Sequence, residues 1–335
     1  MSPELLVLAQ LTIPPDPIWF SLGSVNFYYY GLCYAIGFAV VAAHLYRNSQ
    51  ELGINLEGTY EAALCFAFGS LAGGRCFEIF VYEWALYRDE WWEVLHFWNG
   101  GMASHGVMLG AVAGIFAFAK WRRRPFLLLV DTLVLPGALM MALGRLGNFI
   151  NGEIYGPHTE AWWGVAVPYA EGLRHPVPLY DALKNLGVAV ILLVLSRRHR
   201  CGEGRLFAHF LVWYGGLRLI VDLYREYGSE FWGIGRGQFA NAGMALVGLF
   251  ALAWLNRRVQ PCQEPAAIAG PEVPAESKVS ALWFKRTAFA AMLVACLAIP
   301  SGWSEGWLEG LAQTQRAALS QATRLSATCA GSPTP

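Results

Sequence analysis

Residues 144–160, GRLGNFINGEIYGPHTE, crowd Arg145, Asn148, Asn151 and Glu153 among four glycines. A guanidinium presents a planar fork of donors that matches phosphate, and glycines let backbone N–H groups approach an anion. The spacing fits neither a Walker A loop nor a dinucleotide fingerprint, so a nucleotide is not implied. A second stretch, WNGGMASHGVMLGAVAG (98–114), sets His105 among small residues. Imidazole chemistry suits proton transfer, and Gly106 beside it leaves room for a ligand to come close. A core histidine satisfied by its neighbours is the competing reading. A third stretch, WYGGLRLIVDLYRE (213–226), puts Arg218, Asp222 and Arg225 at i, i+4 and i+7 on one helical face, so that Asp222 holds Arg218 in place. Two arginines and a histidine on such segments predict a site for an anionic lipid headgroup. Its chemistry would be phosphate recognition and proton transfer.

The elements that must position these groups are apolar. Of 335 residues 56% are hydrophobic and 14% charged, against about 25% charged in an average soluble protein. The apolar residues fall in runs long enough to cross a bilayer, at about 26–46, 60–82, 102–120, 125–144, 178–196, 205–224 and 238–256. This is the pattern of an all-α integral membrane protein with a seven-span helical bundle, and it excludes a soluble two-domain enzyme. The net charge of zero gives no field for nucleic acid, and no nucleic-acid partner is expected. Seven cysteines, an odd number without a CxxC pair, argue against a disulfide scaffold or a zinc site, and no metal-ligand spacing is present. The opening residues carry Glu4 and Asp16 and no basic region, which excludes a secretory signal peptide.

Basic residues mark one side. Arg47, Lys120, Arg122, Arg123, Arg124, Arg197, Arg198, Arg200, Arg205, Arg257 and Arg258 fall at alternate span ends, against Arg88, Arg145, Arg174, Arg225 and Arg236 on the other. The positive-inside rule puts the first group in the cytoplasm and the N-terminus outside. Trp91, Trp92, Trp98, Trp162, Trp163 and Trp232 then lie in extracytoplasmic loops, as interface anchors. The division that follows is a seven-span core (1–259), a Pro/Ala/Glu-rich cytoplasmic linker (260–280) and a tail of unassigned role (281–335). The tail's apolar stretch, 287–300, reads equally as an eighth span or as an interfacial helix.

Ionisable residues at membrane depth are costly and are functional candidates by default. They are Arg75, Glu78, His105, Asp131, Arg145, Glu153, Lys184, His209, Arg218 and Asp222. Each has a plainer reading to beat. Arg75 and Glu78, at i and i+3, can neutralise each other; Lys184 and His209 can snorkel or cap; Asp131 can hydrogen-bond across helices.

GRLGNFINGEIYG resembles the signature of the bacterial prolipoprotein diacylglyceryl transferases. The opening PPDPIWFSLGSVNFYYYGLCY, GGR at 73–75, GGMxxHG at 100–106, RHPxxLYDAL at 174–183, YGxxR at 214–218 and GQ at 237–238 follow in the family's order. The resemblance spans about residues 12–256. It implies a seven-span enzyme of the bacterial cytoplasmic (inner) membrane that moves diacylglyceryl from phosphatidylglycerol to the lipobox cysteine of preprolipoprotein signal peptides. A thioether forms and glycerol phosphate leaves, with no cofactor. Carried over by position, His105 matches an essential histidine, Arg145 the signature arginine with Asn148 and Glu153, Arg218 a second essential arginine, Gly156 a required glycine and Tyr30 a required tyrosine. Asn151, Asp222 and Arg75 join them as expected substrate contacts. The chain departs from the family pattern at Tyr28, Glu78, Ala103, Ser104, Val177, Pro178 and Asp222. The rival readings are a non-catalytic lipid- or lipoprotein-binding relative, which loss of His105 or Arg145 would have favoured, and a transporter, which would need a polar path to the cytoplasmic half.

The charge asymmetry makes a testable claim about orientation. Cysteines introduced at 120–124 and 197–200 are expected to resist an impermeant thiol reagent added from the periplasmic side, and labelling there overturns the assigned topology.

Overall fold

The computed structural model describes residues 17–82, 84, 102–167, 170–197, 204–225, 230–231, 234–257 and 279–299. Among them each of the seven predicted segments is a helix: α1 (Tyr29–Arg47), α2 (Leu56–Phe77), α3 (Ser104–Arg122), α4 (Phe126–Ile150), α5 (Val177–Ser196), α6 (Arg205–Asp222) and α7 (Arg236–Arg257). An eighth, α8 (Val279–Leu297), falls in the tail. Local chemistry sets several ends. Asn55 caps α2 by accepting from the Gly58 N–H at 2.9 Å. Arg123, in the left-handed region at φ +52°, stops α3, and Pro125 leads into α4. A π-helical turn, Glu78–Tyr82, extends α2. Six helices are long and apolar enough to cross a bilayer: α1, α2, α4, α5, α7 and α8. Among the described residues two of the seven predicted spans, α3 and α6, fall outside that group; Arg205, His209, Arg218 and Asp222 all lie within α6. The molecule is an all-helical membrane protein apart from short hairpins.

Those hairpins correct the start of the first span. Residues 26–28 belong to β2 (Val25–Tyr28), which pairs antiparallel with β1 (Ile18–Leu22) around Gly23 at φ +62°. The alternating IWFSL and VNFY runs pair as a ribbon, with Phe20 stacked on Phe27 at 4.3 Å. β3 (Val165–Ala166) with β4 (Leu173–Arg174), and β5 (Glu230–Phe231) with β6 (Ile234–Gly235), form two more two-residue ladders. Trp162 and Trp163 lie beside the second hairpin, Trp162 82% exposed. Trp91, Trp92, Trp98 and Trp232 lie outside the described residues, as do the linker to residue 278 and the tail beyond 299.

The tightest pairing is α2 on α3. Gly69 and Gly73 face Gly106, Gly110 and Gly114, a four-residue repeat that lets two backbones touch. A Cβ on Gly110 would lie 2.0 Å from the Gly69 carbonyl oxygen, and one on Gly106 2.3 Å from that of Gly73. Gly106 therefore makes room for α2. The expectation that it opens His105 to a ligand is wrong, because the gap is filled by helix backbone. α4 sits between α1 and α5, and α6 packs on α5 and α7. One apolar core joins α1, α2, α3 and α4; a second joins α4, α5 and α6 around Val134, Val188, Phe210 and Tyr214.

Asp131 takes the plainer of its two readings. Its carboxylate accepts from the Gly204 N–H at 2.9 Å and the Phe207 N–H at 2.8 Å, capping α6 from the neighbouring α4. At the same end Arg122 grips Glu61 through two bonds of 2.5 Å, and Lys285 of α8 reaches Glu57 and Glu61. α8 runs from this cluster along α1 and α2 to Gly31, where a Cβ would meet the Cys296 and Leu297 carbonyl oxygens at 2.2 and 2.8 Å.

Gly110→Ala is expected to destabilise the protein by about 1–3 kcal/mol, the cost of forcing a methyl into a filled contact. Gly187→Ala, where a Cβ meets nothing within 4 Å, is its neutral control. Chemical unfolding of the two variants in detergent compares them directly, and equal stability removes the glycine contact as a determinant of the fold.

Candidate functional site

The signature stretch sits where α4 ends. The chain folds back at once, with Gly152 at φ +70° and Ile154 at φ +56°. Left-handed geometry costs a β-branched residue of order 1–3 kcal/mol. It is held by the residue between them. Glu153 accepts from Asn148 Nδ2 at 3.1 Å and Asn151 Nδ2 at 3.2 Å, and its own N–H donates to the Asn148 carbonyl at 3.0 Å. The carboxylate is thus tucked under the helix end it has just left. Gly156 follows, its N–H on the His175 carbonyl at 2.8 Å, and a Cβ there would lie 2.3 Å from the Tyr224 carbonyl oxygen. Its geometry accounts for glycine by packing against the end of α6, without any ligand contact.

Arg145 begins the ionic part. Its Nη1 points at Asn148 Oδ1 at 3.5 Å, its Nη2 donates to Ser104 Oγ at 3.2 Å, and its Nε lies 2.7 Å from Asp181 Oδ2. Arg218 Nη1 donates to the same Oδ2, while Lys184 Nζ is 2.8 Å from Oδ1. One carboxylate, 1% exposed, thereby draws together α4, α5 and α6. Lys184 does not snorkel as expected: one helical turn from Asp181, it is turned inward over the Tyr214 ring at 3.7 Å from its centroid. The path continues from Arg218 Nη2 to Asp222 Oδ1 at 3.0 Å, from Asp222 Oδ2 to Asn241 Nδ2 at 3.0 Å, and from Asn241 Oδ1 to His105 Nε2 at 3.0 Å. Glu153, Asn148, Arg145, Asp181, Arg218, Asp222, Asn241 and His105 form one continuous polar chain through five helices and the loop after α4.

The expected site residues thus divide. His105, Arg145, Asn148, Asn151, Glu153, Arg218 and Asp222 come together. Tyr30 stands alongside, its ring against Gly147 and its hydroxyl 3.3 Å from that of Tyr34. Arg75 is enclosed in the last turn of α2, 2% exposed. Asp181, Ser104 and Asn241 were not anticipated. Asp181 had a usable signal, a carboxylate inside an apolar run within RHPxxLYDAL. Ser104 and Asn241 carry no charge and gave none.

The chemistry open to this arrangement is specific. Among the described residues named in this polar chain, the charges of Arg145, Arg218 and Lys184 are balanced by Asp181 and Asp222, which they touch, and by Glu153, which reaches Arg145 only through Asn148. Arg145 uses three of its five N–H groups within the described residues, which leaves two for an anion. Beside the polar chain lies an apolar cavity of about 460 Å³, lined by α2, α3, α4, α6 and α7. It runs from His105 to Ile115, which at 1.5 Å per residue is about 15 Å of α3. Among the described residues His105 is the one ionisable residue on its wall.

Paired buried arginines, linked to a histidine on the wall of an apolar cavity, would suit a ligand with an anionic part and an apolar part. Comparison with known proteins is more specific. The sequence pattern of the prolipoprotein diacylglyceryl transferase family matches residues 17–254, and the chain belongs to that family. It is similar to the phosphatidylglycerol–prolipoprotein diacylglyceryl transferases of Oleidesulfovibrio alaskensis (38% identical over 220 residues, 63% of this chain and 80% of that one) and Geobacter sulfurreducens (34% over 252, 72% and 96%). The Legionella pneumophila strain Lens protein of the same name is 33% identical over 258 residues, 74% of this chain and all of its own. The chain is accordingly a transferase of lipoprotein modification. α8 lies beyond the family match.

The shared carboxylate predicts its own mutant. Asp181→Asn leaves Arg145, Arg218 and Lys184 facing one another with Asp222, on Arg218, as their one remaining ion-paired carboxylate among the described residues, and a loss of about 3–5 kcal/mol is expected, as for one broken partner of a buried pair. Denaturant titration in detergent measures it; a loss below about 1 kcal/mol means that the three cations are held by something else.

Proposed function

We propose that this chain transfers the diacylglyceryl group of phosphatidylglycerol to the thiol of the lipobox cysteine in prolipoprotein signal peptides. The observation that supports it best is the convergence of the Arg145 and Arg218 guanidiniums on Asp181 Oδ2, joined through Asp222 and Asn241 to His105 at the wall of the apolar cavity. The headgroup phosphate is assigned to the two arginines, which offer planar donor forks. Asn148, Asn151 and Glu153 keep Arg145 in place, and Tyr30 and Gly156 shape the wall around it. An acyl chain occupies the cavity.

His105 acts as general base. A free thiol, with a pKa of about 8.5, is mostly protonated at neutral pH and a poor nucleophile. As its proton passes to the imidazole, the sulfur attacks the glyceryl carbon that bears the phosphate. A C–S bond forms, the C–O bond breaks, and the electron pair leaves on the phosphate oxygen of glycerol phosphate. Charge gathers on that phosphate as the bond breaks, so arginines fixed beforehand stabilise the transition state more than the bound lipid. The nucleophile belongs to the other substrate, so the chain's own cysteines have no part in the reaction.

The fold is placed in the bacterial inner membrane with residues 1–25 outside and 257–280 in the cytoplasm, and residues 1–259 form the seven-span catalytic core. α8 is read as an eighth crossing. Its start, tied to Glu57 and Glu61 where α2 begins, is then cytoplasmic, and its end, at Gly31 where α1 begins, extracytoplasmic.

His105→Asn is expected to fold and to bind phosphatidylglycerol, because the arginines carry that contact, but to lose transfer by about 10²-fold or more. Asparagine hydrogen-bonds but takes up no proton at neutral pH. Between pH 6.5 and 9 the mutant rate should climb relative to wild type as the peptide thiol ionises unaided. Transfer to a lipobox peptide by folded mutant protein measures both. A wild-type rate at neutral pH ends the general-base assignment, and lost lipid binding moves His105 to the headgroup site.

A further inference from the structure

The contacts around Asn241 carry more than its burial. Only 1% of the residue is exposed. Its amide spans from Asp222 Oδ2 to His105 Nε2, 3.0 Å on each side. Which end faces which partner follows from charge. Asp222 is ion-paired with Arg218 at 3.0 Å and is therefore a carboxylate, which only accepts hydrogen bonds. The Asn241 NH2 must face Asp222, and its carbonyl must face the histidine. A carbonyl also only accepts, so His105 Nε2 must carry a hydrogen. A neutral imidazole has one N–H, which leaves the lone pair on Nδ1. Nδ1 has no hydrogen-bond partner among the described residues, while the ring lines the apolar cavity.

We infer that Asn241 is a positioning residue that fixes His105 as the Nε2–H tautomer and so makes Nδ1 the atom that receives the thiol proton. The inference rests on the transferase reading above and adds to it which nitrogen works and what sets it. The backbone supports the arrangement. α6 and α7 touch at Gly215, where a Cβ would lie 2.6 Å from the Asn241 carbonyl oxygen, one turn ahead of Arg218. The height of Asn241 relative to Arg218 and Asp222 is thus set by helix contact rather than by a mobile side chain. The proton balance closes. The S–H hydrogen moves to Nδ1, the imidazolium then carries hydrogens on both nitrogens, and the Nε2–H bond to Asn241 persists throughout. The C–S bond replaces the C–O bond, whose electron pair leaves with glycerol phosphate.

The test reads the tautomer without depending on turnover. Full-length protein labelled with nitrogen-15 in its imidazoles, in phosphatidylglycerol nanodiscs at neutral pH, gives long-range proton–nitrogen spectra that separate the two tautomers, and His105→Gln identifies the His105 signals. The wild type is expected to show Nε2–H. Asn241→Leu should lose that pattern and reduce kcat for a lipobox peptide at least about tenfold, with KM for phosphatidylglycerol within about twofold. Asn241→Ser, whose hydroxyl accepts from Nε2, should lose less than the leucine variant and serves also if the latter fails to fold. An Nδ1–H tautomer in the wild type overturns the proposal, as does a folded Asn241→Leu with unchanged spectrum and kcat. A wild-type chain that shows Nε2–H yet transfers nothing refutes the transferase reading and leaves the tautomer assignment standing.

Discussion

Asp181 sits where water cannot reach, with two guanidiniums and an ammonium around its two oxygens. Burying any of these ions costs several kcal/mol even after relaxation, and buried pairs commonly no more than break even against well-packed apolar residues. Leucines and methionines in their place would hold α4, α5 and α6 together as well. What apolar residues cannot do is fix two guanidiniums before a ligand comes. A carboxylate shared through one oxygen sets both arginines at hydrogen-bond distance from a common point, so their separation and orientation do not wait on the lipid. Preorganisation of that kind is worth most in a dry site, where fixed donors meet charge as it develops. Lys184 brings the local charge back to balance, three cations against Asp181, Asp222 and Glu153, which keeps the empty site tolerable among apolar neighbours.

The cavity borders the tightest helix pair. α3 is drawn onto α2 by facing glycines, to the point where a single added carbon would strike backbone. The cavity opens along that pair, walled by Phe66 and Phe77 of α2 and by Val107, Met108, Ala111 and Ile115 of α3, with Leu133, Phe210 and Met244 of α4, α6 and α7 opposite.

Much of this was legible in the residues, and the boundary of what was legible is itself informative. A bilayer demands about 20 apolar residues per crossing, so seven helices could be placed to within a few residues by composition alone. The ionic cluster was legible in part because arginine inside an apolar run needs a partner, and Arg145 and Arg218 both have one in Asp181. Pairing was not legible. Asp222 could be matched to Arg218 because both lie on one helix at i and i+4, whereas Asp181 belongs to a different helix from either arginine, and periodicity along a chain says nothing of its neighbours. Asn241 and Ser104 were silent for another reason: an amide or a hydroxyl raises no alarm in a count of charges, though its hydrogen bonds are as directional. Gly106 was misread because the sequence shows that something comes close without showing what. The β1–β2 ribbon was missed beneath an apolar count that treated IWFSLGSVNFYY as an approach to the first span.

Among the described residues His105 is where the polar chain and the apolar cavity share a wall, and the proposed reaction needs such a boundary. Its donor is a molecule with two characters, hydrocarbon on one side of the scissile C–O bond and a charged, water-soluble fragment on the other. If the acyl chain lies in the cavity and the phosphate lies against Arg145 and Arg218, the glyceryl carbon between them falls at the junction, within reach of the imidazole. The two products then separate by solubility alone. The diacylglyceryl group, now on sulfur, stays with the hydrocarbon, while glycerol phosphate gains charge beside the only cations that hold it. Tighter grip on that fragment would slow its release, and the carboxylates of Asp181 and Asp222 oppose such a grip by competing for the same guanidiniums. The carboxylates that arrange the arginines before the reaction therefore also weaken their hold on the product after it.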